Sequence, residues 1–196
     1  TETETVLCPV ILPVSGEKQG LNGRRQVQHL SRRARQALFL SAQKSGMALG
    51  ALSKNENGAP VPVDGVYWSI THKPAYVAGV VAPAAVGIDI EAVRPCSPTL
   101  FKRVADDAEW RLASRAPSFE LFFRFSTAKE AVIKAVGTGL RDLSRCRIES
   151  VPDDTHMVVR YLKTPWQIEQ FVFDGHVAAI TRNRFSIQWN LLTEGD

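Results

Sequence analysis

Long hydrophobic runs are missing from this 196-residue chain: the longest apolar stretches, such as residues 76–82, are far too short to cross a bilayer. Residues 1–5, Thr-Glu-Thr-Glu-Thr, lack the basic and apolar regions of a secretory leader, so a cytoplasmic protein without a membrane partner is expected. Cysteine is scarce. Cys8, Cys96 and Cys146 are odd in number and widely spaced, and with no CxxC pair to suggest zinc or a redox dithiol they read as free thiols. Low-complexity tracts are also lacking, and 44% hydrophobic with 22% charged residues fits a folded globule rather than a disordered or fibrous chain. A GxxxxGK(S/T) loop is absent, which argues against the P-loop route to nucleotide chemistry.

What is present is a basic excess. The formal charge of +4 favours an anionic partner, whether nucleic acid, a phosphorylated small molecule or an acidic protein. Residues 21–52 are helix-compatible, with Val27, Leu30, Ala34, Ala37, Leu38 and Ser41 forming an apolar stripe and arginines crowding the other face. A nucleic-acid module would need aromatic platforms or a groove-reading helix beside those arginines, and the helix carries Phe39 alone among aromatics. No nucleic-acid partner is therefore expected.

Turn chemistry at residues 53–60 separates that helix from a β-rich stretch, where residues 67–70, 76–82 and 86–91 read as strands. The last two are expected to pair as a hairpin around Pro83-Ala84. Along the third strand Val86, Ile88 and Ile90 point to one face, so Gly87, Asp89 and Glu91 point to the other. Residues 94–98 form the best linker candidate, dividing the chain into an N-terminal α+β half, 1–94, and a C-terminal one, 95–196, which together can also count as one domain. Helix is expected up to about Gly137. Beyond Arg145, segments 147–151, 157–162, 167–173, 176–181 and 185–189 suggest an antiparallel meander. Residues 76–80 and 176–180 resemble one another, a hint of internal duplication.

Two short motifs carry the chemistry. Asp89 and Glu91 aim two carboxylates in one direction, a pair suited to a hard cation such as magnesium, and Gly87 beside them leaves room for a ligand near the backbone. A solvated strand face is the plain alternative. Residues 125–134 lie on a helix with the apolar stripe Leu121, Phe125, Ala128, Val132 and Ala135; Glu130 and Lys134, four apart, would ordinarily be an exposed ion pair. Either pattern alone arises by chance in about one chain in twenty of this length, but both together in roughly one in several hundred. The combination is the signal.

Gly87-Ile88-Asp89-Ile90-Glu91 and Phe125…Lys129-Glu130-Ala131-Val132-Ile133-Lys134 resemble the GxDxE and (W/F)xxxKEAxxK hallmarks of the Sfp-type 4'-phosphopantetheinyl transferases. Gly58-Ala59-Pro60 with Trp68-Ser69-Ile70-Thr71-His72 is similar to that family's GKP…(F/W)SxSH segment, with Ala59 in place of the lysine and Thr71 in place of a serine. Ala34-Arg35-Gln36-Ala37-Leu38 is a weaker likeness to its first helix. The resemblance implies an α+β fold made of a pseudo-twofold pair of similar halves, each a helix packed on an antiparallel sheet. It implies transfer of the 4'-phosphopantetheine arm of coenzyme A to a serine of an apo acyl or peptidyl carrier protein, an acidic helical bundle, with release of adenosine 3',5'-bisphosphate.

It further implies magnesium, or manganese in its place, on Asp89, Glu91 and Glu130, with Glu130 and Lys134 catalytic. Contacts to coenzyme A are implied for Arg35, Gly58, Pro60, Thr71, His72, Asp89, Lys129 and Lys134, with Arg32 or Arg33 as neighbours of Arg35. The lysine contact to phosphate is lost at Ala59. A structural strand-end bond for His72 and a solvated basic face for Arg35 are the alternatives. A chain near 200 residues can supply both halves and act as a monomer, unlike the shorter, trimeric holo-synthase relatives. Another magnesium-dependent phosphotransferase or a nucleotide hydrolase is the competing activity.

Overall fold

The computed structural model describes residues 5–14 and 23–193, except the side chains of residues 140 and 141. The run 1–4 and the expected helix onset at Leu21 lie outside the described residues. Strands β1 (Val6–Leu7) and β2 (Val10–Pro13) precede helix α1 (Gly23–Ser45). A small hairpin of β3 (Ser53–Lys54) and β4 (Pro60–Val61) leads into β5 (Tyr67–His72), β6 (Tyr76–Ala82) and β7 (Ile88–Ala92). Helices α2 (Pro98–Val104), α3 (Asp107–Trp110) and α4 (Phe119–Val136) follow, then a 3-10 turn (Leu140–Arg145). Strands β8 (Cys146–Ser150), β9 (His156–Tyr161), β10 (Thr164–Phe173) and β11 (His176–Thr181) form the expected meander, and β12 (Ser186–Ile187) and β13 (Asn190–Leu191) end it.

The fold is mixed α+β, as the sequence implied, with a long helix on each of two sheets. The first sheet runs β13-β2-β6-β5 and carries α1; the second runs β7-β11-β10-β9-β8, antiparallel throughout, and carries α4. Strand alternation divides the cores. On β6, Val77 and Val81 face α1, while Ala78, Val80 and Ala82 face inward; on β11, Val177 and Ala179 face α4, while Ala178 and Ile180 face inward. The inward sets meet Ile88 and Ile90 of β7 in one shared core, so the sheets pack on each other with the helices outside. The similar segments 76–80 and 176–180 thus occupy like places, each beneath the helix of its sheet.

Three expectations are corrected. β7 does not form a hairpin with β6 but pairs antiparallel with β11, Asp89 opposite Ala179, as the edge strand of the second sheet. Segment 185–189 does not extend the meander: β12 and β13 run parallel to β1 and β2, and in doing so Phe185, Ile187 and Trp189 join Leu7 and Ile11 in the inter-sheet core. Val27 is not part of the buried stripe of α1; it is 56% exposed, and burial starts at Leu30.

Helix α4 is fixed at both ends. Ser118 caps its N-terminus by accepting from Leu121 N–H, and Gly137, at φ 79°, ends it in the left-handed conformation. Its far face is covered by α2 and α3, so residues 121–129 are buried on every side.

Candidate active site

The strand period aims a row of β5 side chains at β7. Ser69, Thr71 and Lys73 alternate along one face, and each meets its neighbour: Ile88 N–H donates to Ser69 Oγ (3.1 Å), Thr71 Oγ1 to Asp89 Oδ1 (2.9 Å), and Lys73 Nζ to Glu91 Oε1 (2.5 Å). Helix α4 crosses β7 at Gly87, where a Cβ would stand 1.8 Å from Ala131 O and 2.7 Å from Ala135 N. The missing side chain makes room for the helix backbone, not for a ligand, which corrects the reading from sequence. That close crossing brings Glu130 and Lys134, one turn apart, over Asp89.

Carboxylate oxygens of Asp89, Glu91 and Glu130 all lie within 4.8 Å of one another. Lys134 Nζ donates to Asp89 Oδ1 (2.7 Å) and to Ile88 O (3.0 Å), so its partner is the strand rather than Glu130 on its own helix. Asp89 is 1% exposed, and its Oδ2 has no hydrogen-bond partner. A buried carboxylate oxygen normally finds a donor, so this one has an unmet need for a positive partner. Hard carboxylate donors from Glu91 and Glu130 beside it suit magnesium, whose shell is completed by water and phosphate oxygens. The donor set therefore fits that ion.

Burial and the negative charge of Asp89 push the Glu130 carboxyl up to about 8, against the opposing pull of Lys73 and Lys134. Burial lowers Lys73, but Asp89, the hydrogen bond to Glu91 and the charges of Glu91 and Glu130 outweigh it and raise the ammonium above its ordinary value. His72 is held below its usual range by burial and then by Lys134, Lys73 and Lys54, so the neutral imidazole is favoured in a cationic setting.

These groups open onto a cleft of about 340 Å³. Gly58, Pro60, Thr71, His72, Asp89, Glu130 and Lys134, all singled out from sequence, line it together. Three candidates do not: Glu91, which joins the acidic cluster without being part of that lining, Lys129 and Arg35. Lys129 is 2% exposed and turns to the other side of α4, where its Nζ donates to Glu109 Oε1 (2.7 Å) and Val104 O (2.6 Å). One residue is about 100° of helical rotation, so Lys129 cannot share the cleft with both Glu130 and Lys134. Arg35 is exposed and borders a groove with Arg32 on α1; of that groove only Ser31 also touches the cleft.

Two cationic lining residues were missed. Lys73 continues the Ser69–Thr71 alternation past the strand end, a signal that was readable. Lys54 pairs with Pro60 across the β3–β4 hairpin and lines the cleft, so a lysine from the opposite strand stands where Ala59 offers none. An Asx turn, in which Asn55 Oδ1 accepts from the backbone N–H of Asn57 and Ala59, and Gly58 at φ 75° shape that hairpin.

Among known proteins, the profile of the 4'-phosphopantetheinyl transferase superfamily matches residues 85–181, from just before β7 through β11. The 4'-phosphopantetheinyl transferase HetI of Nostoc sp. is 33% identical over 109 residues, 53% of this chain and 45% of the relative. The 4'-phosphopantetheinyl transferase psf-1 of Bacillus pumilus is 35% identical over 89 residues, 43% of this chain and 38% of the relative. The matched stretch spans less than half the length of either relative.

Proposed function

We propose, for a chain that belongs to the 4'-phosphopantetheinyl transferase superfamily, that this cleft moves the 4'-phosphopantetheine arm of coenzyme A onto a serine of an apo carrier protein. The observation that carries this reading is the meeting of Asp89, Glu91 and Glu130 carboxylates within 4.8 Å, beside the unpartnered Asp89 Oδ2, in a cleft rimmed by ammonium groups. Such a place suits a diphosphate with its cation. Asp89, Glu91 and Glu130 would hold the ion. A bound magnesium or manganese would supply positive charge there, against the negative charge developing on the leaving phosphate.

The side chains divide the remaining work. Lys134 and Lys54 neutralise phosphate oxygens of coenzyme A, while Thr71 and His72 supply neutral polar contacts beside them. Glu130 accepts the proton of the carrier serine. The serine oxygen forms its bond to the phosphorus bearing pantetheine. The bond from that phosphorus to the bridging oxygen breaks, and the electron pair leaves with adenosine 3',5'-bisphosphate, whose charge Lys134 balances.

The net charge of +4 suits steering of an acidic helical carrier. Halves 1–94 and 95–196 both contribute lining residues, which favours a monomer of Sfp type. Among the described residues no helix is long and apolar enough to cross a membrane, and the reading places the activity in the cytoplasm, without nucleic acid. Intact mass spectrometry of apo carrier proteins incubated with the protein, coenzyme A and magnesium tests it. A gain of one phosphopantetheine that disappears in Glu130→Ala is the expected result; well-folded protein that modifies none of the acyl or peptidyl carriers offered overturns it.

A further inference from the structure

We infer that Lys73 is a displaceable counter-ion: its ammonium holds Glu91 while the acidic cluster is free of metal and must leave that carboxylate when a divalent cation arrives. The inference rests on the cation-binding reading of Asp89, Glu91 and Glu130. It starts from an asymmetry among the three. Asp89 keeps one unpartnered oxygen, whereas both oxygens of Glu91 are engaged, Oε1 by Lys73 Nζ at 2.5 Å and Oε2 by Arg94 at 3.6 Å. A cation that recruits Glu91 therefore competes with an ammonium already in place.

Lys73 is built to give way. It lies one residue beyond β5, its side chain is 28% exposed, and it also lines the cleft. The four-carbon stem lets a compact point charge change partners without moving the backbone, which Lys73 N–H anchors to Tyr76 O. Arg94 differs: its guanidinium lies over the Phe123 ring, 5.2 Å from the centroid, and reaches Glu91 only at long range. A doubly charged ion attracts Glu91 more strongly than a single charge does at the same distance. Once released, the ammonium stands at the cleft wall, where it adds positive charge to the surface that meets phosphate. Through this exchange Lys73 weakens binding of the cation alone.

Direct titration with manganese, followed by the loss of its free-ion paramagnetic signal and with no coenzyme A or carrier present, tests this. In Lys73→Gln the manganese dissociation constant should fall about tenfold, the factor expected for removing one nearby competing charge. Lys73→Arg keeps the charge and should stay within about twofold of the parent protein. Thermal melts establish that each variant is folded, and Glu130→Gln, which should lose most binding, marks the site. If the parent protein binds manganese and Lys73→Gln binds it no better, this inference alone is overturned. If neither binds and Glu130→Gln changes nothing, the cation site and the inference fail together. Binding that appears only in Lys73→Gln supports the exchange in its strongest form.

Discussion

Replacing Gly87 by alanine is the sharpest probe of how this site is built. The added Cβ would stand 1.8 Å from Ala131 O, whereas ordinary contact begins at 3.4 Å, so α4 must retreat by about 1.6 Å or β7 must bend. Gly87 does not have a positive φ, so the alanine backbone itself is unstrained, and its smaller unfolded-state entropy returns ~0.4–1 kcal/mol. Overpacking of a rigid crossing costs ~1–3 kcal/mol and sometimes more, and here the obstacle is backbone, which cannot rotate away as a side chain does. The net loss should be about 2 kcal/mol, a fall of ~4–8 °C in melting temperature for a chain of this size.

The functional consequence is larger than the stability loss. Glu130 immediately precedes Ala131 on α4, and Asp89 lies two residues past Gly87, so a shift of more than 1 Å at the crossing moves the carboxylates apart. Magnesium bonds of ~2.1 Å tolerate no such change. Thermal melts and manganese titration on the same samples should therefore show a moderate drop in stability and a loss of at least tenfold in cation affinity. Ala131→Gly should not rescue either, because the clash is with a carbonyl oxygen that glycine also carries. A Gly87→Ala protein that melts within a degree of the parent and binds manganese equally well would refute this account of the crossing.

The acidity of the cluster gives a second expectation. With Glu130 near 8 a cation must displace a proton, so manganese affinity should rise with pH up to about 8, by as much as tenfold per unit, and level off above it; Glu130→Gln should flatten the profile. Folded Glu130 titrates near 8 and the unfolded carboxyl near 4.5, so the folded state holds the extra proton. Stability of the metal-free protein should fall as pH rises across that window, and melts of Glu130→Gln should lack the trend. Lys129 supplies a third. Removing it as Lys129→Met leaves the Glu109 carboxylate buried without its partner, at a cost of ~3–5 kcal/mol in urea unfolding, while Glu109→Gln in the same chain should recover part of the loss. Coenzyme A binding by calorimetry, on whatever Lys129→Met protein stays folded at low temperature, should be unchanged.

What the sequence made legible follows from periods. Alternation on β7 separated Asp89 and Glu91 from Ile88 and Ile90 correctly, because a strand facing a core on one side has no freedom to place them otherwise. The helical period put Glu130 beside Lys134. What periods could not supply was pairing. Nothing local distinguishes β7 as the neighbour of β6, which precedes it by a few residues, from β7 as the neighbour of β11, which follows it by about ninety. That long-range choice decides the site, since it seats β7 under α4 and turns Gly87 from a gap for ligand into the contact point of a helix.

The same limit explains the two lysines that changed places. In a motif, Lys129 and Lys134 read as two cations of one helix, and Lys73 falls in no motif at all. The direction of each depends on what covers it. Four-residue α3 places Glu109 against the far side of α4, accepting from both Lys129 Nζ and Ile148 N–H, so a charged residue inside the hallmark motif becomes part of the core. Lys73 lies in no helix and no strand, yet it inherits the direction of Ser69 and Thr71 and ends on Glu91. Charge in a motif marks residues that cannot be changed freely, but only the packing tells which of them hold a ligand and which hold the helix that holds the ligand.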